Sequence, residues 1–268
     1  MIWALVDDQQ NQLVEVVGWL RDAANWRGDR GAGTRLVEHV QISAVAVLAS
    51  ILVAVPPAVW LGHKRRFGLV AINISNVGRA LPSFAILVLG TQLLGLLEKP
   101  IIGSVSVFVA LVALAVPPIV TNTYVGMAEV PDDVRDAARG MGLSESQMVR
   151  QVELPLALPL IMAGIRTSAV QVVATATIAA QLGFGGLGRF IIDGYATRSS
   201  GGYTDVLAGA LLVAALALLT EGLLGMAQRA LTPKGLRAAP RWRRGPTADD
   251  APTDDEVSSD PNPLPVAA

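Results

Sequence analysis

The chain has 268 residues, 52% of them hydrophobic and 16% charged, with a formal net charge of −1. Soluble domains carry about 25% charged residues, so this composition excludes an ordinary soluble globule, and the near-zero charge gives no sign of a nucleic-acid surface. Cysteine is absent, which removes disulfides, thiolate metal sites and cysteine nucleophiles. The two histidines, His39 and His63, are too few and too separated for a histidine-based metal site and read as interfacial or loop residues.

The first twenty residues lack the basic start of a secretory leader, and Asp7 and Asp8 interrupt their apolar stretch. Leu13, Val14, Val16, Val17, Trp19 and Leu20 predict a short interfacial helix, with Trp3 and Trp19 at headgroup depth. Five stretches then reach the roughly 20 apolar residues that a spanning helix needs. They cover 40–61, closed by His63-Lys64-Arg65-Arg66; 69–97, containing Pro82; 101–124, containing Pro117 and Pro118; 156–182, rich in Ala, Thr and Val; and 206–226. Prolines inside spans imply burial in a bundle, where neighbouring helices or water satisfy the freed carbonyls. The expected fold is an all-α polytopic membrane bundle of about five transmembrane helices.

Lys and Arg are denser in the Lys64–Arg66 loop, the 125–153 connection and the C-terminal segment than on the other side. The positive-inside bias therefore predicts a multi-pass membrane protein with its N-terminus outside and its C-terminus in the cytoplasm. From about Ala238 the composition turns to Pro, Asp, Arg and Ser without apolar periodicity, which predicts disorder. The expected organisation is 1–38, an extracytoplasmic or interfacial segment; 39–230, the transmembrane domain with a connection at 125–155; and 231–268, a cytoplasmic tail.

The 125–155 connection carries the most information. Pro131 suits a first helical turn, and Asp132 and Asp133 complement the positive end of a helix dipole. Gly140 and Gly142 end that helix, Gly142 permitting a sharp turn. Ser144 followed by Gln147 is a capping-box pattern that starts a second helix, and Pro155 marks the start of the next span. Ala137 and Ala138 have no bulk, so a partner's groove could approach that face closely. A compact helical elbow of this kind can transmit force, although local chemistry alone equally fits a solvated, charged linker.

The spacing here is Asp136-Ala137-Ala138, three residues, Gly142, nine residues, Val152, Glu153, Leu154-Pro155. It resembles the cytoplasmic signature of ABC import permeases: Glu-Ala-Ala, three residues, Gly, nine residues, Ile, any residue, Leu-Pro. Asp for Glu and Val for Ile are mild departures. The run from Val152 to Thr167 is similar to the osmoprotectant permeases of glycine betaine/choline/carnitine type. So are Gly140-Met141-Gly142, Leu81-Pro82-Ser83, Asn122-Thr123-Tyr124 and the run Gly183 to Gly188, and the likeness covers roughly 40–230. The resemblance implies that Asp136, Ala137, Ala138, Gly142, Leu154 and Pro155 belong to a coupling helix that docks on a separate ATP-hydrolysing subunit. It also implies a second permease subunit, identical or different, an extracytoplasmic substrate-binding protein, and no cofactor in this chain, ATP being bound by the partner.

Polar groups within predicted spans either line a water-filled path or join helices. Ser83, Asn122, Thr123, Tyr124, Gln171 and Thr175 are the pathway candidates; Gln171 and Thr175 share one helical face. Asn73, Asn76, Thr121, Thr177 and Gln181 are further intramembrane polar residues. Arg79 and Arg166 are the positive charges inside predicted spans and read as anchors near the inner gate, because a cationic headgroup would repel them. The run Gly183–Gly188 reads as an external turn that touches the delivery protein. No phosphate-binding loop, nucleophile elbow or metal-protease pattern occurs, and the chain reads as a non-enzyme. Aromatic residues make up only 5%, which assigns the high-affinity site for a quaternary ammonium group to a separate protein. The alternatives are a permease for another small solute such as methionine, or an ATPase-independent transporter or channel, which leaves the elbow unexplained.

Overall fold

The computed structural model describes residues 12, 14–65, 85, 88, 89, 92 and 102–232. Most of the predicted second span, with Asn73, Asn76, Arg79 and the pathway candidate Ser83, lies outside the described residues, as do Trp3 and the tail beyond 232. The described residues up to Leu231 belong to one compact unit.

All regular structure among the described residues is helical. A short helix over 14–21 (α1) and a 3₁₀ turn, Ala23–Trp26, precede α2 (Ala32–Lys64). Then come α3 (Ile102–Ala128), α4 (Asp132–Gly140), α5 (Glu145–Met148), α6 (Leu154–Ala179), α7 (Gly188–Ala196) and α8 (Tyr203–Leu231). Four stretches among the described residues are long and apolar enough to cross a membrane: Ala32–Lys64, Val107–Ala128, Glu145–Leu182 and Tyr203–Leu231. The first has 33 residues, or roughly 50 Å at 1.5 Å per residue, against a hydrocarbon core of about 30 Å. It starts eight residues before the expected boundary because Arg35 and Glu38 form an i,i+3 ion pair (2.9 Å) that keeps its polar first turns helical.

The core is the meeting of α2, α3 and α6, and it is built from small side chains. Ala46, Ala54 and Ala58 of α2, Ala110 and Ala115 of α3, and Ala157, Ala169, Ala176 and Ala179 of α6 are all buried. Lipid tails are as apolar as leucine, so helices in a bilayer associate through close backbone approach, and small residues permit it. Gly164 shows how tight the α3–α6 crossing is: an added Cβ would sit 2.7 Å from Asn122 Cβ and 2.9 Å from Pro118 O. Gly126 approaches Ala157 O and Leu160 in the same way, at 3.0 Å each.

Pro117 and Pro118 are buried inside α3, where hydroxyls and an amide serve nearby carbonyls. Thr121 Oγ1 donates to Pro117 O (3.0 Å), Asn122 Nδ2 to Pro118 O (2.8 Å), and Ser168 Oγ of α6 to Ala115 O (2.8 Å).

α8 leans on α6 through two polar links, Arg166 Nε to Glu221 Oε1 (3.1 Å) and Gln228 Nε2 to Pro159 O (3.0 Å). Arg166 therefore has a carboxylate partner within the bundle. α8 also exposes Leu211, Leu218, Leu219 and Leu223; Leu219 and Leu223 border an apolar cavity shared with Ile165, Ala169 and Val173 of α6 and Val47 and Leu48 of α2. At the other end of the bundle, Trp19 of α1 donates Nε1–H to Asp205 Oδ1 (2.7 Å) and meets Phe190 edge-to-face at 5.3 Å.

Neither histidine lies in a loop. His39 is 1% exposed, its Nε2 2.9 Å from Val173 O, and His63 occupies the last turn of α2. Their burial follows from the extra length of α2 at both ends.

Gly164→Leu should separate α3 from α6. Overpacking of this kind costs about 1–3 kcal/mol, to be read as a lowered thermal unfolding midpoint of the detergent-purified protein.

Candidate functional site

The 125–155 connection folds into the two-helix elbow that its sequence predicts. Pro131 (φ −59°, ψ 145°) stands immediately before α4, and Asp132 and Asp133 occupy its first turn. Gly142 takes φ +81° with no neighbour within 4 Å of a virtual Cβ, so backbone handedness, not space, demands glycine there. The capping box forms: Ser144 N–H donates to Gln147 Oε1 (2.9 Å) and Gln147 N–H to Ser144 Oγ (3.4 Å).

One feature departs from expectation. The second elbow helix does not stop before the span; it runs into α6 through a π turn, Val149–Glu153, in which Leu154 N–H reaches back to Val149 O. Pro155 lacks an N–H and its ring clashes with the carbonyl four residues earlier. Widening the preceding turn relieves that clash without breaking the helix.

The π turn drives Glu153 into the protein, where its side chain is 0% exposed. Glu153 Oε2 lies 2.8 Å from His63 Nδ1, and Oε1 lies 3.2 Å from Arg135 Nε, close enough for an ion pair though poorly angled for a hydrogen bond. Arg135, on α4, also donates from Nη2 to Met127 O (2.7 Å) and from Nη1 to His63 O (3.2 Å). His63 Nε2 faces Glu145 Oε2 at 2.9 Å. A neutral imidazole has one N–H, so both carboxylate contacts become hydrogen bonds only with an additional proton in the group. Arg65, just past α2, completes the ring with 2.6 Å contacts to Asp132 Oδ1 and Val130 O.

Burial pulls the Arg135 guanidinium below its ordinary value, opposed by the charge of Glu153. The Arg65 hydrogen bond holds the exposed Asp132 carboxyl below its own. Both halves of the elbow are thereby fastened to the end of α2, although the chain connects the elbow only to α3 and α6.

The signature residues divide between two faces. Asp136 and Ala137 are exposed, as are Met141 (73%) and Gly142, and together they form the outer surface. Asp136 Oδ1 pairs with Arg139 Nη1 at 3.1 Å. Ala138 is 1% exposed and corrects the expectation that both alanines face a partner. One helical step turns the chain by about 100°, so Ala138 packs against the bundle. Leu154 and Pro155 are half-buried at the start of α6.

The pathway candidates are not gathered around one opening among the described residues. Asn122 gives its amide to Pro118 O. Thr123 is 0% exposed, Tyr124 9% and Thr175 7%, and Gln171 is half-buried.

Sequence reasoning missed His63, Arg135 and Glu153 as a group. Glu153 stands at the position where the signature accepts any residue, and with Arg150 and Gln151 just before it no local signal marks it for burial. At the opposite end it missed Glu38, whose Oε2 accepts from Gly186 N–H (2.8 Å) and fastens the glycine run to α2.

Glu153→Ala leaves Arg135 buried without its counter-ion. Breaking a buried pair costs about 3–5 kcal/mol, to be measured by denaturant unfolding in detergent, whereas Asp136→Ala on the exposed face should unfold as the unaltered protein does.

Residues 46–233 match the family described as binding-protein-dependent transport system inner membrane component. The choline transport system permease protein OpuBB of Bacillus subtilis (strain 168) is 40% identical over 200 residues, which span 75% of this chain and 88% of that protein. The glycine betaine/carnitine/choline transport system permease protein OpuCB of the same organism is 38% identical with the same coverage. A solved structure of inward facing conformations of the MetNI methionine ABC transporter superposes with a TM-score of 0.61 at 25% identity, over 73% of this chain and 94% of that one. A family match over most of the chain, carried on a helical bundle with the signature elbow, leads to one conclusion: the chain belongs to the binding-protein-dependent transport system inner membrane components.

Proposed function

We propose that the chain is the membrane-spanning permease subunit of an ATP-driven importer for a quaternary ammonium osmoprotectant of glycine betaine, choline or carnitine type. The solute class is supported by the named relatives, whose substrates are of this kind. The ATP-driven reading rests on the elbow. A force-bearing contact needs a rigid body, and the Glu153–Arg135–His63 group makes the elbow rigid while leaving Asp136, Ala137, Met141 and Gly142 outward.

In this reading the outer face of the elbow docks in a cleft of a cytoplasmic ATP-binding subunit, and ATP binds there, not in this chain. Two permease subunits enclose the pathway, and an extracytoplasmic binding protein delivers the solute. The elbow end is cytoplasmic, consistent with the Lys and Arg clustered in 64–66 and 125–153. The N-terminal segment 1–38 then lies outside, 39–230 forms the permease domain and 231–268 a cytoplasmic tail. When the ATPase subunits close, the elbow moves as one piece with α2, α3 and α6, and the pathway turns outward.

Gly142→Val tests this. A β-branched residue at φ +81° is strained by about 1–3 kcal/mol and adds bulk to the docking face. ATP-driven uptake of radiolabelled glycine betaine and choline in proteoliposomes should fall more than about tenfold, since 1.4 kcal/mol is a factor of ten, with membrane insertion unchanged. Normal uptake by this variant, or uptake by the unaltered chain without an ATPase subunit, would refute the coupling role. Unlabelled methionine should not compete.

A further inference from the structure

At the end of the bundle opposite the elbow, two cavities meet at Phe184 and Gly185. Glu38 and His63 lie 25 residues apart on α2, or roughly 37 Å along the helix axis, which sets the separation of the two ends. The first cavity, about 380 Å³, is lined by Glu38, Gln41, Phe108 and Phe184. The second, about 660 Å³, presents Arg30, Arg35 and Arg189, with the acidic Asp193 on the same wall. The ion pair between Arg35 and Glu38 (2.9 Å) is their common border, its carboxylate lining one cavity and its guanidinium the other.

The glycine run is shaped around this border. A Cβ on Gly185 would collide with the Glu38 carboxylate, and Gly186, at φ +88°, turns its N–H onto the same oxygen at 2.8 Å. The run therefore does more than turn the chain: it holds Glu38 beside Phe184.

We propose that the paired cavity is a transit site for a zwitterionic quaternary ammonium solute, its onium group beside Glu38, Phe108 and Phe184 and its carboxylate toward Arg30 and Arg189. A quaternary ammonium has no N–H to donate, so it is recognised by negative charge and aromatic faces. A carboxylate is recognised by guanidinium donors. Both chemistries are present on opposite sides of one residue pair, in cavities of the size that small solutes occupy. Arg35 is engaged by Glu38 and Arg189 by Asp193 (2.7 Å), whereas Arg30 has no acidic partner among the described residues. Arg30 is thus the guanidinium most available to a solute carboxylate. Choline lacks a carboxylate and uses only the first cavity. The site names a discriminating element for the transport reading above and rests on it.

The test uses the complete importer, with its ATPase subunit and binding protein, in proteoliposomes at saturating solute. Arg30→Gln should lower ATP-driven glycine betaine uptake about tenfold and leave choline within about twofold, because a charge-assisted contact is lost only to the zwitterion. Phe184→Leu keeps apolar volume but removes the aromatic face, and should lower uptake of both solutes about tenfold. An equal loss of both solutes in Arg30→Gln, or undiminished uptake in Phe184→Leu, overturns the site while the transport reading stands. Absence of ATP-driven uptake of either solute by the unaltered complex overturns that reading and the site with it.

Discussion

A carboxylate shut away from solvent must be met by cations and donors, and Glu153 imposes that requirement on three segments at once. Arg135 arrives from α4, His63 from the end of α2, and Glu153 itself from the π turn ahead of α6. None of these is adjacent in sequence. Because each fills a need of the others, the elbow has one seating on the bundle and not a range of them. A buried ion group is weak evidence for stability, but fixing a single arrangement is its best-attested use.

The same device recurs at the far end of α2. Glu38 gathers Arg35 from its own helix and the Gly186 N–H from the connection after α6. Between these two polar ends the bundle is held largely by alanine and glycine at close range, as where Gly164 of α6 meets Asn122 and Pro118 of α3. Polar clamps at the ends and mostly apolar close contacts between them suit a bilayer, with Arg166–Glu221 an ion pair part-way along the spans. Polar groups are affordable near the ends, while the centre relies on backbone proximity.

Hydropathy located the four described spans because twenty apolar residues in a row have few other destinations. The elbow was legible for a different reason. Pro131, Gly142 and the Ser144–Gln147 pair act through local backbone chemistry that does not depend on the rest of the fold. What could not be read is which way the elbow faces. Spacing shows that Ala137 and Ala138 point in different directions, but only the long-range partners of Arg135 decide that Ala138 is the inward one. The π turn hid Glu153 as well, since a 3.6-residue period carried from the elbow into α6 loses register there. Glu221 lies 55 residues after Arg166 on another helix, and no local pattern links them. Glu38 was obscured because the glycine run that it shapes has a sufficient explanation as a turn.

The π turn also sets what motions are open to the elbow. If Val149–Glu153 reverted to regular α-helical pairing, the chain on one side would rotate by about 100° relative to the other with little change in length. That rotation would carry Glu153 away from Arg135 and His63 and strip Arg135 of its counter-charge. The wide turn and the ionic knot therefore act as a mutual lock: neither can be undone while the other holds, and the joint between elbow and span is a rigid crank, not a swivel.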